Sequence, residues 1–200
     1  MRLLSERFTA IYSLILMVLF TPLFATEPPK LPTLTESDQL IGNFIQKKKL
    51  ATFPIELVSK GHFKLNLHEG VHWVTESPIA SELKLNATAL QSYSNERQVL
   101  SMDARTQPLV AMVAEIFTAA LSGDWSALEA FFHTKTSVTP QGWHVEMTPR
   151  DKAAARIANA IHFDGEQFVK QITLYEPSGD QTRILFESIQ LEPYRAPSRH

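Results

Sequence analysis

The sequence predicts an α+β fold, one strongly curved antiparallel sheet with helices against its concave side. Three observations carry this reading. Short runs of period-two alternation occur in both halves of the chain. Between them, a stretch with helical spacing opens at Pro108 and closes at Gly123. A first helical pattern precedes all the strands, so the order is helix, strands, two helices, strands. The 200 residues are 44% hydrophobic and 20% charged, which suits a single globular domain.

Residues 1–25 read as a secretory signal peptide. Arg2 and Arg7 mark a short charged start, an apolar run over 11–20 follows, Thr21-Pro22 breaks it, and Ala25 offers a cleavage site. The run is short of the ~20 apolar residues that span a bilayer. Residues 26–34 form a Pro-rich, flexible leader. A single domain follows over 35–192, and 193–200 form a flexible tail. Within the domain, Thr35 or Ser37 can cap a helix running to about Lys48, with Leu40, Ile41, Phe44 and Ile45 on one face. Phe63, Leu65 and Leu67 alternate with Lys64 and Asn66 in a strand. His68-Glu69-Gly70 reads as a turn, and Val71, Trp73 and Thr75 return. Leu83 and Leu85 mark a third strand. The central helix carries Leu109, Val113, Ile116, Phe117, Ala120 and Leu121. Asp124 caps a short second helix with Trp125, Leu128, Phe131 and Phe132. Trp143, Val145 and Met147 begin the second set of strands. Residues 153–160 are ambiguous between helix and strand. Asp164-Gly165 is a hairpin turn, Phe168, Ile172 and Leu174 follow, Pro177-Ser-Gly-Asp180 turns again, and Ile184, Leu185 and Phe186 form a last strand.

Composition excludes several chemistries. The net charge of −2 gives no basic field large enough to suggest nucleic acid or an anionic membrane surface as the main partner. The absence of cysteine removes disulfides, thiol catalysis, thiolate metal sites and N-terminal acylation of a lipobox cysteine. Export without cysteine points to a bacterial periplasm. One motif points elsewhere: His68-Glu69-Gly70-Val71-His72 matches the HExxH of zinc peptidases, with Glu96 as a formal third ligand. That chemistry needs both histidines on one helical face. Gly70 and Val71 are poor helix residues, and the flanking alternation places the motif on a turn and a strand. The plain reading is two exposed hairpin histidines. No nucleophile elbow or phosphate loop is present.

Taken together, the segments resemble a known family. Phe44-Ile-Gln-Lys-Lys-Lys-Leu50, Leu57-Val-Ser-Lys-Gly-His-Phe63 and Gly70-Val-His-Trp-Val-Thr-Glu-Ser-Pro78 resemble the opening of LolA-type outer-membrane lipoprotein carriers. Gly123-Asp124-Trp125, Trp143-x-Val-x-Met-x-Pro149, Ile161 to Gly165, Glu176-Pro-Ser-Gly-Asp-Gln-Thr182 and Ile184-x-Phe186 extend the likeness over nearly the whole exported chain. The resemblance implies an incomplete, half-open antiparallel β-barrel whose concave face is covered by helices around an apolar cavity. It implies a non-catalytic periplasmic carrier of acylated lipoprotein or lipid, moving cargo from inner to outer membrane. An inner-membrane donor complex and an outer-membrane acceptor would be its partners. The expected form is a monomer with no cofactor, metal or nucleic acid. The family's Arg-Pro pair before the strand Trp, whose Arg latches the lid, is replaced here by Asn66-Leu67-His68-Glu69-Gly70. A different lipid or a lipid-like pigment precursor is therefore a second cargo class.

Physical reasoning asks for the same shelter. Exposing a methylene costs ~0.8 kcal/mol, so a sixteen-carbon chain requires about 12 kcal/mol of burial. The candidate cavity residues are Ile41, Phe44, Val113, Ile116 and Phe117 from helices and Phe63, Leu65, Trp73, Leu83, Leu85, Trp143, Val145 and Phe186 from strands. Ordinary core packing has the same sequence pattern, and a one-residue register change reverses a strand's faces. A half-barrel that binds an envelope protein instead of lipid is the alternative function, with zinc peptidase chemistry behind it.

Overall fold

Eleven strands form one antiparallel sheet, and the first and last of them meet at its centre. The computed structural model describes residues 34–196; the expected signal peptide, all of the leader but Leu34, and the last four residues of the expected tail lie outside the described residues. The strands are β1 (Asp38–Lys49), β2 (Glu56–Asn66), β3 (Gly70–Ser77), β4 (Ser81–Leu85), β5 (Ala89–Ser94), β6 (Arg97–Asp103), β7 (Phe132–Thr139), β8 (Gly142–Pro149), β9 (Ala160–Gly165), β10 (Val169–Tyr175) and β11 (Gln181–Pro193). Helix α1 (Pro108–Ser122) connects β6 to β7. The spatial order is β6-β5-β4-β3-β2-β1-β11-β10-β9-β8-β7. Two meanders are thus joined through the β1–β11 pair, and the sheet ends at β6 and β7 without closing. Because α1 links those two edges, it has to cross the molecule. It packs on the concave face, where Met112, Ala114, Ile116, Ala119, Ala120 and Leu121 join the core.

The expected N-terminal helix is a strand. Leu40 and Phe44, four residues apart, share a face in a helix and also in a strand. Gly42, Asn43 and the β-branched Ile41 and Ile45 weaken the helix. Pairing on both sides then decides: Leu40 faces Leu65 of β2 and Leu191 of β11, and Phe44 faces Gly61 and Phe186. One α-helix, rather than several, therefore covers the sheet among the described residues. Helix α1 itself forms where the sequence places it, with Pro in its first turn and Gly123 in the left-handed conformation at φ 78°. The second helix is reduced to a 3-10 turn, Ser126–Ala130. Asp124 Oδ1 accepts bonds from the Ser126 amide (3.1 Å) and hydroxyl (2.6 Å), and Phe132 already belongs to β7. The ambiguous stretch divides into a 3-10 turn, Ala154–Arg156, and the start of β9.

Two turns differ from expectation. Asp164 and Gly165 end β9 as strand residues, and the reversal falls just after them. Gly165 is required there by packing, since a Cβ would stand 2.3 Å from Trp143 Cζ2. Strands β5 and β6 are absent from the sequence reading, because their side chains are partly buried or exposed and show no alternation. Asn95 and Glu96, at φ 49° and 63°, make the tight reversal between them. No helix among the described residues is long and apolar enough to cross a membrane.

Candidate functional site: an apolar cleft under a single helix

Cross-strand register builds the floor of the site. Gln46, Ile184, Ile172 and Phe163 are successive partners across β1, β11, β10 and β9, and Thr182, Leu174 and Ile161 form the next row. Val113, Ile116 and Phe117 of α1 form the roof, with Ile157 at the side. Between floor and roof lies a cleft of about 160 Å³, lined almost wholly by carbon. Ligand pockets for drug-sized molecules begin near ~300 Å³, so the cleft is smaller than such a site.

Aromatic side chains occupy the rest of the concavity. Trp73 stacks on Phe44 with ring centroids 3.7 Å apart and meets Phe117 edge-on at 5.7 Å. Phe63 packs edge-on against Phe186 at 5.3 Å. A second group under the other half of the sheet places Trp125 against Phe163 at 4.6 Å and Trp143 at 5.8 Å. The Trp143 indole N–H donates to the Glu166 carbonyl (2.7 Å), which satisfies its polar edge.

The expected cavity residues therefore separate. Val113, Ile116 and Phe117 line the cleft. Phe44, Phe63, Trp73 and Phe186 form the aromatic wall beside it, within one buried cluster. Leu65 and Leu85 are fully buried farther along the sheet, and Leu83, partly buried, pairs with Trp73 and packs against the same core. Trp143 and Val145 lie in the opposite half with Trp125. Ile41 does not join them. It faces Lys64 of β2, on the outer side, because period two turns it away from Leu40. The sequence reading missed Gln46, Ile157, Ile161, Ile172, Leu174, Thr182 and Ile184. For Ile184 a signal exists: it is two residues from Phe186 and shares its face.

The cover is held by apolar contact. Among the described residues, no ion pair or side-chain hydrogen bond joins α1 to the sheet. Asn66 Oδ1 accepts the amides of His68 (3.0 Å) and Glu69 (2.7 Å), fixing the turn between β2 and β3. Beyond α1, a groove of about 290 Å³ is lined by Leu34, Leu67, Ala111, Ala114 and Glu115. Burial there raises the Glu115 carboxyl above its ordinary range. A larger trough on the outer face, about 610 Å³, is lined by Lys64, Asn66, His72 and Lys84 and is too polar for an acyl chain.

The HExxH segment lies on that same outer side. His68 sits in the turn, 5.6 Å from the Tyr194 ring, while His72 on β3 bonds Glu82 Oε1 through Nε2 at 2.7 Å. A turn followed by a strand does not bring the two imidazoles to one helical face, as a zinc peptidase requires. Among the described residues, no group of three His, Asp or Glu is placed to hold a metal.

The family model described as outer membrane lipoprotein carrier protein LolA matches residues 35–198. The chain belongs to the LolA family. Its fold of one open sheet under a helical cover is accordingly carrier-like. Similar solved structures include the MucA/MucB complex of Pseudomonas aeruginosa, at 12% identity and TM-score 0.43. That match covers 80% of this chain and 54% of the other, so this chain spans about half the length of that one. A LolA superfamily protein from Nitrosomonas europaea is 8% identical, with 82% and 90% of the two chains covered and TM-score 0.42. A putative outer membrane lipoprotein-sorting protein domain from Vibrio parahaemolyticus is 11% identical, with 84% and 90% covered and TM-score 0.42. No curated protein matches the chain.

Proposed function

We propose that this LolA-family member is a non-catalytic periplasmic carrier, which shelters the acyl chains of a lipoprotein or lipid between α1 and the sheet during passage from inner to outer membrane. The observation that carries the reading is the carbon-lined cleft whose roof is held without a polar bond. A chain of sixteen carbons gains ~12 kcal/mol on leaving water. Lifting Val113, Ile116 and Phe117 from the sheet, with the rest of α1 still packed, costs about 5 to 9 kcal/mol, at roughly 1.5–3 kcal/mol for each side chain. Cargo can therefore open the site by replacing the helix's apolar contacts with its own. The closed form keeps the same surfaces from water when no cargo is bound.

The test is uptake of an apolar fluorescent probe by delipidated protein, followed by displacement with a diacylated peptide. Saturable uptake and displacement are expected. Native mass spectrometry of protein taken from its own envelope extract should show a bound lipid or acylated peptide. A protein that takes up neither probe nor acylated ligand and carries no lipid is not a carrier.

A further inference from the structure

The longest connection between central strands projects from the sheet as an apolar tip. Residues 50–55 join β1 to β2 and contain no charged side chain. Phe53 is 59% exposed, Ile55 52% and Leu57 51%. The first residues of β2 have no partner on their β3 side, because pairing with β3 begins only at Lys60 and Ser77. The neighbouring β3–β4 turn adds Ile79, also exposed. Large apolar side chains grouped in this way mark a contact surface.

Charge and position identify the partner. Lys49, at the foot of the tip, and Lys60, four residue pairs farther down the hairpin, are both exposed. The one carboxylate on the projecting segment, Glu56, lies 3.9 Å from Lys47. An uncharged apolar point followed by exposed lysines on both legs suits a phospholipid interface, where the point enters the acyl boundary and the long lysine side chains reach the phosphates. Glu176 and Asp180 are taken up by Lys48 and the Ala51 amide. The base of the hairpin is also fixed: the Ala51 amide donates to Asp180 Oδ1 (2.9 Å), and Lys48 bonds both Glu176 oxygens. Lys48 pairs in register with Thr182, which lines the cleft. The tip and one end of the cleft therefore share one end of the sheet.

We propose that the β1–β2 hairpin, led by Phe53 and Ile55 and followed by Lys49 and Lys60 on its legs, rests on a phospholipid bilayer and places the end of the cleft at its surface. The inference deepens the carrier reading and rests on it for its purpose, but the contact can be measured without cargo. Processed protein obtained from the full chain is floated with vesicles of phosphatidylethanolamine and phosphatidylglycerol, and with phosphatidylcholine alone. Wild type is expected to float with both. F53D/I55D should lower partition roughly tenfold or more on both. K49E/K60E should lower it only where phosphatidylglycerol is present. In F53W, vesicles should shift the added indole's emission to shorter wavelength relative to the parent protein. Apolar-probe uptake in solution, which reports the cleft alone and also the folded state, should be unchanged in all variants. Absence of wild-type flotation, or flotation of F53D/I55D equal to wild type, overturns the inference even where probe uptake is intact. So does a stable protein complex on the tip without vesicle binding. Flotation that depends on Phe53 and Ile55, without probe uptake, upholds the surface and removes carriage.

Discussion

Gly61 shows how little room single residues leave beneath the cover. It lies opposite Phe44 on β1, at an irregularity in the β2–β3 register. A Cβ there would stand 1.8 Å from the Val74 carbonyl oxygen and 3.0 Å from the Phe44 ring. Neither the backbone nor the stacked Phe44–Trp73 pair can yield cheaply. Gly61→Ala is expected to destabilise the fold by about 3 kcal/mol, read as a lowered urea midpoint at unchanged slope. An unchanged midpoint would mean that the register shifts freely. Lys48 makes a different contribution. Its ammonium group is held above the usual lysine range, first by its bond to Glu176 and further by the charges of Glu176 and Asp180, against the opposing effect of burial. A raised folded-state value means the pair stabilises fully below the ordinary lysine value and is lost as pH rises through the folded one. Lys48→Met should therefore cost up to about 1 kcal/mol at neutral pH. The gap to wild type should close in strongly alkaline solution, as followed by urea melts across pH.

Helix α1 and strand β1 owe their structures to different forces. The helix has its own start and stop signals, so it forms where the sequence places it. β1 has a pattern that serves either structure and becomes a strand because β2 and β11 pair with it along its length. This difference governs motion as well. The sheet centre is locked by two ladders, whereas α1 is anchored through side-chain contact and its two connections. Cargo should thus enter by displacement of α1, not by spreading of strands. The chain has no cysteine, so Val113→Cys and Ile184→Cys supply the only thiol pair. Bridging them across the cleft with a short bismaleimide is expected to abolish probe uptake, while each single variant retains it. Uptake by the bridged protein would place the entry elsewhere.

At the scale of the whole molecule, the α1 crossover keeps the sheet open. A sheet whose last edges are joined through its own concave face cannot zip those edges together, because the connecting helix fills the space. The result is a concavity with the sheet on one side and a single helix on the other. Aromatic side chains fill most of it and leave a narrow cleft, so on the proposed carrier reading the volume for a full acyl chain is expected to come from displacement of α1. Heating in the presence of a saturating acylated ligand should raise the unfolding midpoint, since a ligand bound only by the folded state stabilises it. No change in midpoint at concentrations that saturate the probe would argue against burial of the ligand in this core.

The sequence by itself determined the antiparallel character of the strands, the central helix with its Pro108 and Gly123 boundaries, and the turn that denies HExxH its helix. These are set by nearby residues, through period, φ preference and capping. It also marked Trp73, Phe117 and Phe186 as apolar candidates for the inner face, though not which way each strand turns, nor which of them face a space and which face one another. Only the tertiary structure decided that β1 is a strand, that Ile41 points outward, and that Ile161, Ile172, Leu174 and Ile184 make the floor. Each of those depends on pairing between segments as far apart in the chain as Phe44 and Phe186. Local pattern carries no information about which distant partner arrives, and in a sheet the partner fixes the face.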